Sequence, residues 1–375
     1  MSLMTKSDSI TFVMLSPTRD SVILSNDAIS GAEVRSVRFL RFCESKNIRV
    51  QVVTNSYGEK ILRGKVNADI LVVRAPTPIE NYSRLDVMKS FLLLPILSLR
   101  MLFKSRSKVV VGSTSLLPDA IPISIVSMFG RRAWVHFHHW IHISSLRELP
   151  RKAIQIANLS LLNASGANFL SLPSNKLYLS KIARDPRVYE FENGIDIDAA
   201  ISRQKPTHDV DVLYLGRLSV KKGSRDLMEI WKRVHRLDPA RSLTIAGAIE
   251  DKHFLELIER EQLDGSINVL GPVTEQRKVD LLSSAKCFVS ASREEGWGMA
   301  VSEAVGYGLF VIVYNLVGYG HVLDGINRVA VGDYDSFAKL VVGGSKALKS
   351  SAHTKDWSSV LSSELELIMV DGKEP

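Results

Sequence analysis

The stretch CFVSASREEGWGMAVSEAVGYGLFVIVY, Cys287–Tyr314, decides how this chain folds. CFVSAS is apolar and reads as a strand, REEGWG as the turn after it, and Gly298–Gly306 as a helix; FVIVY is apolar again. Two near-continuous apolar strands joined through a helix are the mark of a parallel sheet buried on both faces. Two carboxylates interrupt the pattern. Glu295 falls in the turn, at the strand's carboxyl end, and Glu303 about one and a half turns into the helix. Glycines around the first let backbone approach a ligand with no Cβ in the way. One carboxylate can accept from hydroxyls at one end of a ligand and the other from hydroxyls at the opposite end, with backbone N–H groups holding anions between. A nucleotide sugar has that layout: hexose hydroxyls, diphosphate, ribose hydroxyls.

Working outward, the same alternation fills the chain. Before this stretch come DVLYLG, a helix over Gly223–Leu237, SLTIAG, a helix over Lys252–Glu261, INVLG and a helix over Thr274–Ser284; NRVAV follows it. The earlier half shows strands ITFVMLS, IRVQVVT, ADILVVRA, KVVVGS, RAWVHFH, NFLSLP and RVYEFE, with helices between most of them. Between the halves lies IDAAISRQKPTHDVD, residues 197–211, polar and without a period, which marks a domain boundary. At 375 residues two cores are expected. The reading is two doubly wound α/β domains: residues 1–198, a linker over 199–211, and 212–354, with a last helix at about 355–370.

A second basic turn precedes the helix at Gly223. In DVLYLGRLSVKKGSRDL, Gly216, Arg217, Lys222 and Gly223 place two cations over the end of the sheet, beside a helix N-terminus whose free N–H groups favour an anion. Arg offers a fork to two phosphate oxygens and Lys a point charge. Alone, such residues are usually solvated loop cations; with the glutamate segment they form a pattern.

That combination, Gly216-Arg217…Lys222-Gly223 with Glu295-Gly-Trp-Gly-x4-Glu303-Ala, resembles the donor signature of family 4 glycosyltransferases, retaining enzymes of the GT-B fold with an E-x7-E motif. SGAE at Ser30–Glu33, VHFHH, ENGID at Glu192–Asp196 and GPVTEQRKVDLLSSAKCFVSAS extend the resemblance along most of the chain. It departs at Gly308-Leu309-Phe310-Val311, where a proline is usual. The resemblance implies two Rossmann-like domains facing across a cleft, the last helix crossing back onto the first domain, and closure about the linker. It implies that Arg217 and Lys222 neutralise the diphosphate, with Gly216, Gly296, Trp297 and Gly298 around the donor. Glu303 would accept from the ribose and Glu295 from the transferred sugar. His138 would lie beside the sugar, with His139 and His136 as runners-up, and Gly31, Ala32 and Glu33 on the acceptor side. Catalysis would fall to His138, Arg217, Lys222 and Glu295. No cofactor and no metal are implied, since Arg and Lys stand where a cation otherwise would. A zinc site at HFHH lacks a clear third ligand.

The expected reaction is retaining transfer of a hexose from a nucleoside diphosphate sugar to a glycan or lipid-linked acceptor. A nucleotide-sugar epimerase of the same fold and a non-catalytic nucleotide-sugar binder stay open beside it. A glycosidase pair would need no phosphate-holding cations, and no G-x-G-x-x-G follows the first strand, which disfavours a dehydrogenase.

Charge is uneven. Residues 1–182 hold 24 Lys+Arg against 11 Asp+Glu, a balance of +13, and the rest of the net +8 chain holds 24 against 29, or −5. A basic half suits an anionic acceptor or membrane surface as well as scattered surface charge. The apolar segment Val87–Phe103 carries Lys89, Pro95 and Arg100 and is too short to span a bilayer; a buried helix and a helix lying on a membrane both fit. Arg35, Arg38 and Arg41, three apart, are expected roughly on one face, solvated by default or facing that membrane. The opening residues lack the apolar core of a secretory signal, and Cys43 and Cys287 read as buried thiols. A cytoplasmic protein, peripheral at the membrane face and without a nucleic-acid partner, is the expectation.

Overall fold

A computed structural model describes residues 9–15, 31–73, 93, 96–100, 102–105, 107–138, 140, 149–182, 187–196, 209–344 and 355–369 of the chain. The described residues divide into two compact units, one taking those of Met1–Ile23, Ile29–Glu192 and Ser358 onward, the other those of Asn193–Trp357.

The first unit runs β1 (Ser9–Met14), α1 (Gly31–Ser45), β2 (Arg49–Asn55), α2 (Ser56–Leu62), β3 (Asp69–Val73), β4 (Val109–Gly112), α3 (Leu117–Met128), β5 (Arg132–Phe137), α4 (Leu149–Ala164), β6 (Asn168–Ser171), α5 (Pro173–Leu179) and β7 (Val188–Glu190). Its strands order as β3-β2-β1-β4-β5-β6-β7, every pair parallel. Phe12 of β1 stands beside Val52 of β2 and Val111 of β4 and stacks on Phe39 of α1. Sequence pattern alone missed α2: its start depends on the Asn55 side chain, which accepts from the backbone of Tyr57 and Gly58.

The second unit runs β8 (Val210–Leu215), α6 (Ser224–Leu237), β9 (Leu243–Ala246), α7 (His253–Arg260), β10 (Ile267–Gly271), α8 (Glu275–Ser284), β11 (Ala285–Ser290), α9 (Met299–Gly306), β12 (Phe310–Tyr314), β13 (Asn327–Val329) and α10 (Tyr334–Gly343). The order β10-β9-β8-β11-β12-β13 repeats the first sheet's scheme, again all parallel. In both sheets the order reverses beside the first strand, and loops at the carboxyl ends of the strands flanking that point are where open α/β sheets bind ligands.

The division between units falls before Asn193, earlier than the expected boundary. Ile195 donates to the Lys355 carbonyl (3.0 Å) and bridges with Asp356, so this segment runs with the second unit. Strand β8 likewise starts at Val210, inside the expected linker; 197–208 lie outside the described residues. The last helix, α11 (Trp357–Met369), places Glu364 against Arg35 and His136 of the first unit.

One surface expectation is corrected. Arg35 is buried, Arg38 half-buried and Arg41 exposed. A three-residue step falls short of a 3.6-residue turn by about 60°, so the row winds from core to solvent instead of forming one face. Of Val87–Phe103, the described residues 96–100 and 102–103 are helical; the remainder apart from Leu93 lies outside them. Trp140 is covered on one face by Tyr178 (4.9 Å) and approached by the Lys152 ammonium (3.0 Å), so it packs as wall. Cys43 and Cys287 are buried free thiols.

Candidate functional site

Two turns at the carboxyl end of the second sheet carry the candidate donor residues, and their backbones interlock. Helix α6 opens on Gly223 and α9 on Gly298, both left-handed, at φ 77° and 76°. A Cβ on Gly223 would lie 1.8 Å from the Ala291 carbonyl oxygen, and one on Gly298 2.3 Å from the Tyr319 ring. No other residue fits either place. Arg293 strengthens the join by donating to Asp226 of α6 through Nε (2.5 Å) and a terminal nitrogen (2.7 Å), while Tyr334 donates to the same carboxylate (2.7 Å).

On this frame the cations and carboxylates meet in pairs. Lys222 Nζ donates to Glu295 Oε1 at 2.6 Å. Arg217 donates to Glu250 Oε1 at 3.0 Å, and its carbonyl accepts from the Tyr214 hydroxyl at 2.9 Å. Burial raises the Tyr214 phenol's pKa, with Glu295 and Glu250 adding to it and Arg217 opposing. Burial and then Glu295 raise that of Tyr319 as well. Arg217, Lys222, Glu250 and Glu295 thus share one neighbourhood, with Gly216 closing β8 through a bond to the Ala246 carbonyl (2.9 Å).

Glu303 occupies a second neighbourhood, four residues or about 6 Å along α9 from its start. Its Oε1 accepts from Lys278 of α8 at 2.7 Å, and Lys278 also reaches Glu275 at 2.6 Å. Burial lifts the Glu303 carboxyl above the usual range; Lys278 opposes this, and Glu275 and Asp196 add to it. Between the two neighbourhoods lie half-buried Gly296, buried Trp297 and Gly298. Sequence reading missed Lys278, Glu250 and Asp196. Lys278 stands three residues after Glu275 and so shares its helix face, but nothing in the spacing announces Glu303 as its partner.

The first unit holds the other predicted residues. His138 follows β5 directly and donates through Nε2 to the Ser113 carbonyl (2.9 Å), which leaves Nδ1 as its acceptor. It stacks on His136 at 5.7 Å. Burial, then the charges of His136 and Arg35, bring its pKa down to about 3, so the ring is neutral near pH 7. His136 is committed at both nitrogens, to the Gly112 carbonyl (3.1 Å) and Glu364 Oε1 (2.7 Å), and Arg35 pairs with the other Glu364 oxygen. Burial works against the Glu364 charge, but Arg35 and His136 hold its pKa below the ordinary carboxylate range. His139 lies outside the described residues. Gly31 and Ala32 open α1, and Glu33 in its first turn is buried. Among the described residues no group of three or more His, Cys, Asp or Glu converges for a metal ion.

A family model described as glycosyl transferases group 1 matches residues 198–358. A GDP-mannose:cellobiosyl-diphosphopolyprenol alpha-mannosyltransferase of Xanthomonas campestris is 29% identical over 140 residues, 36% of this chain and 37% of that protein. The match therefore spans little more than a third of the curated relative. Likeness of fold extends further. A sucrose-phosphate synthase from Thermosynechococcus elongatus superposes with a TM-score of 0.74 at 14% identity, covering 96% of this chain and 98% of the other. Anabaena HepE in complex with UDP gives 0.68 at 14%, covering 96% and 99%. The second unit is similar to the glycosyl transferases group 1, and the whole chain has the GT-B fold of two parallel-sheet α/β domains.

Proposed function

We propose that this protein is a retaining, metal-independent glycosyltransferase that moves a hexose from a nucleoside diphosphate sugar to a glycan or lipid-linked acceptor. The observation that carries the reading is the pairing of Lys222 with Glu295 at 2.6 Å, inside the segment similar to the glycosyl transferases group 1. In this reading the donor diphosphate replaces Glu250 at Arg217 and Glu295 at Lys222, which releases Glu295 to the sugar hydroxyls. Glu303 takes the ribose hydroxyls. The anomeric carbon–oxygen bond to the diphosphate breaks, the acceptor oxygen bonds to that carbon on the same face, and the acceptor proton passes to the departing phosphate. Positive charge aimed at the leaving group supplies the main stabilisation. His138, neutral and with Nδ1 as acceptor, is assigned the place beside the sugar.

A screen of nucleotide sugars for release of nucleoside diphosphate, with and without acceptors, tests the reading. Transfer that keeps the anomeric configuration by NMR and persists in chelator supports it. Product formed without an acceptor would favour an epimerase, and binding without turnover a non-catalytic binder. Glu303→Ala with unchanged turnover removes the proposed site.

A membrane-bound acceptor is favoured by one surface. Phe103 (47% exposed) and Phe129 (72%) meet edge to face at 5.3 Å, next to exposed Met128. Arg100, Lys104 and Lys108 are exposed in the same part of the sequence, and across residues 87–147 the single acidic residue is the buried Asp119. Apolar knobs among unopposed cations suit an anionic bilayer surface. Among the described residues no helix is long and apolar enough to cross a membrane. Co-sedimentation with phosphatidylglycerol vesicles but not phosphatidylcholine vesicles is expected, and equal recovery from both overturns this placement.

A further inference from the structure

We propose that Lys278 is a positioning residue for Glu303, fixing one carboxylate oxygen and keeping the group ionised so that the other oxygen takes the vicinal hydroxyls of the donor's ribose. The inference rests on the donor-site reading above and adds to it a residue outside the two motifs. Lys278 is only 20% exposed in its side chain and Glu303 16%, so this pair is far more enclosed than an ordinary surface ion pair. Two of the three ammonium hydrogens are directed at carboxylates, Glu303 at 2.7 Å and Glu275 at 2.6 Å. Glu275 is 65% exposed and anchors the amine from the solvent side. Lys278 therefore cannot follow Glu303 loosely; it is held in place and holds in turn. Glu303 Oε2 has no protein hydrogen bond among the described residues.

The charges around Glu303 explain why such a clamp is needed. Helix α8 presents Glu275 and Lys278, the segment after Asn193 presents Asp196, and α9 itself presents Tyr307 one turn on. Of these groups Lys278 alone is positive. Burial and the two neighbouring carboxylates all favour the protonated acid, which would offer a donor where the ribose hydroxyls require an acceptor. Burial works against the Lys278 charge too, but Glu303 and Glu275 outweigh it and raise its pKa. The sign follows. Glu303 loses its charge at a higher pH than an ordinary carboxylate, and without Lys278 it would do so at a higher pH still.

The test is calorimetric binding of UDP, GDP and ADP, and of their 2′,3′-dideoxy forms, to the full chain between pH 5.5 and 8. Wild type is expected to lose about tenfold in affinity when both hydroxyls are removed, the loss typical of hydrogen bonds to a charged group. Lys278→Met should bind the ribonucleotide more weakly and show a much smaller hydroxyl effect. Its acid loss of binding should also begin at a higher pH. Lys278→Arg should restore the hydroxyl effect. An equal hydroxyl effect in wild type and Lys278→Met, or the same pH course in both, overturns the inference while leaving the donor site standing. If wild type binds none of the three nucleotides, the donor-site reading fails and this inference with it. Should Lys278→Met not fold, Lys278→Gln carries the same comparison, and a hydroxyl effect in it equal to that of wild type refutes the proposal.

Discussion

The carboxyl edges of the two sheets both collect charge, and they do so in opposite ways. In the first unit Arg35, His136 and Glu364 are sealed, with Arg35 and Glu364 each 2% exposed in their side chains. Both nitrogens of His136 and both oxygens of Glu364 are spoken for. In the second unit the pairs Arg217–Glu250 and Lys222–Glu295 are partly open, Arg217 at 49% and Lys222 at 31%. A sealed network cannot exchange partners with a ligand, because opening it strands charge in a low-dielectric interior. An open pair can, since its members are worth little to each other and water or phosphate replaces either one. The same residue types thus tie a helix to one sheet and keep a binding surface available on the other.

The largest effect should come from breaking the sealed network. Glu364→Ala takes the Glu364 carboxylate away from the buried Arg35 charge and is expected to destabilise the protein by about 3–5 kcal/mol, read as a shift in the denaturant midpoint. A shift no larger than that of a surface substitution would show that the network is not sealed. Next, Lys222→Ala should lower kcat/KM for the nucleotide sugar by about 10²–10³, the cost of losing one preorganised charge at the leaving group. Its melting temperature should barely move, which distinguishes it from Glu364→Ala.

The contrast has a pH dependence of definite sign. Glu364 is held below the ordinary carboxylate range, so its stabilisation is present above that range and lost as pH falls through its lowered pKa. His138 is depressed to about 3, so below about 6.5 the unfolded chain takes up a proton that the folded chain refuses. Stability should therefore fall from about pH 6.5 downward. His138→Asn should flatten that slope in thermal melts, and an unchanged slope would mean that other groups carry it. The smallest effect belongs to the more open of the second unit's two pairs, Arg217–Glu250. Glu250→Gln frees Arg217 and should tighten nucleoside diphosphate binding by at most about fivefold, the worth of an exposed ion pair; weaker binding would mean that Glu250 supports the site instead of competing for it.

Legibility followed the range of the interactions. The apolar strands and the helices between them were readable because burial on both sheet faces imposes a local pattern that each strand carries alone. So were Gly223 and Gly298, since a turn opening a helix at positive φ is encoded where it stands. Helix α2 escaped because one side chain, Asn55, starts it. Arg35 was misplaced because its face could be judged only from the helix that covers it, and the covering residue, Glu364, lies 329 positions away in the chain.

The linear order of residues was enough to call for two doubly wound sheets and to single out Arg217, Lys222, Glu295 and Glu303, because those features repeat or cluster within a few turns of chain. Which cation answers which carboxylate was settled by folding. Lys222 and Glu295 are 73 residues apart, Lys278 and Glu303 25, and their meeting depends on strand order and helix packing. Ion pairs fall off steeply with distance and with exposure to water, so their partners are chosen by the folded geometry that sets both.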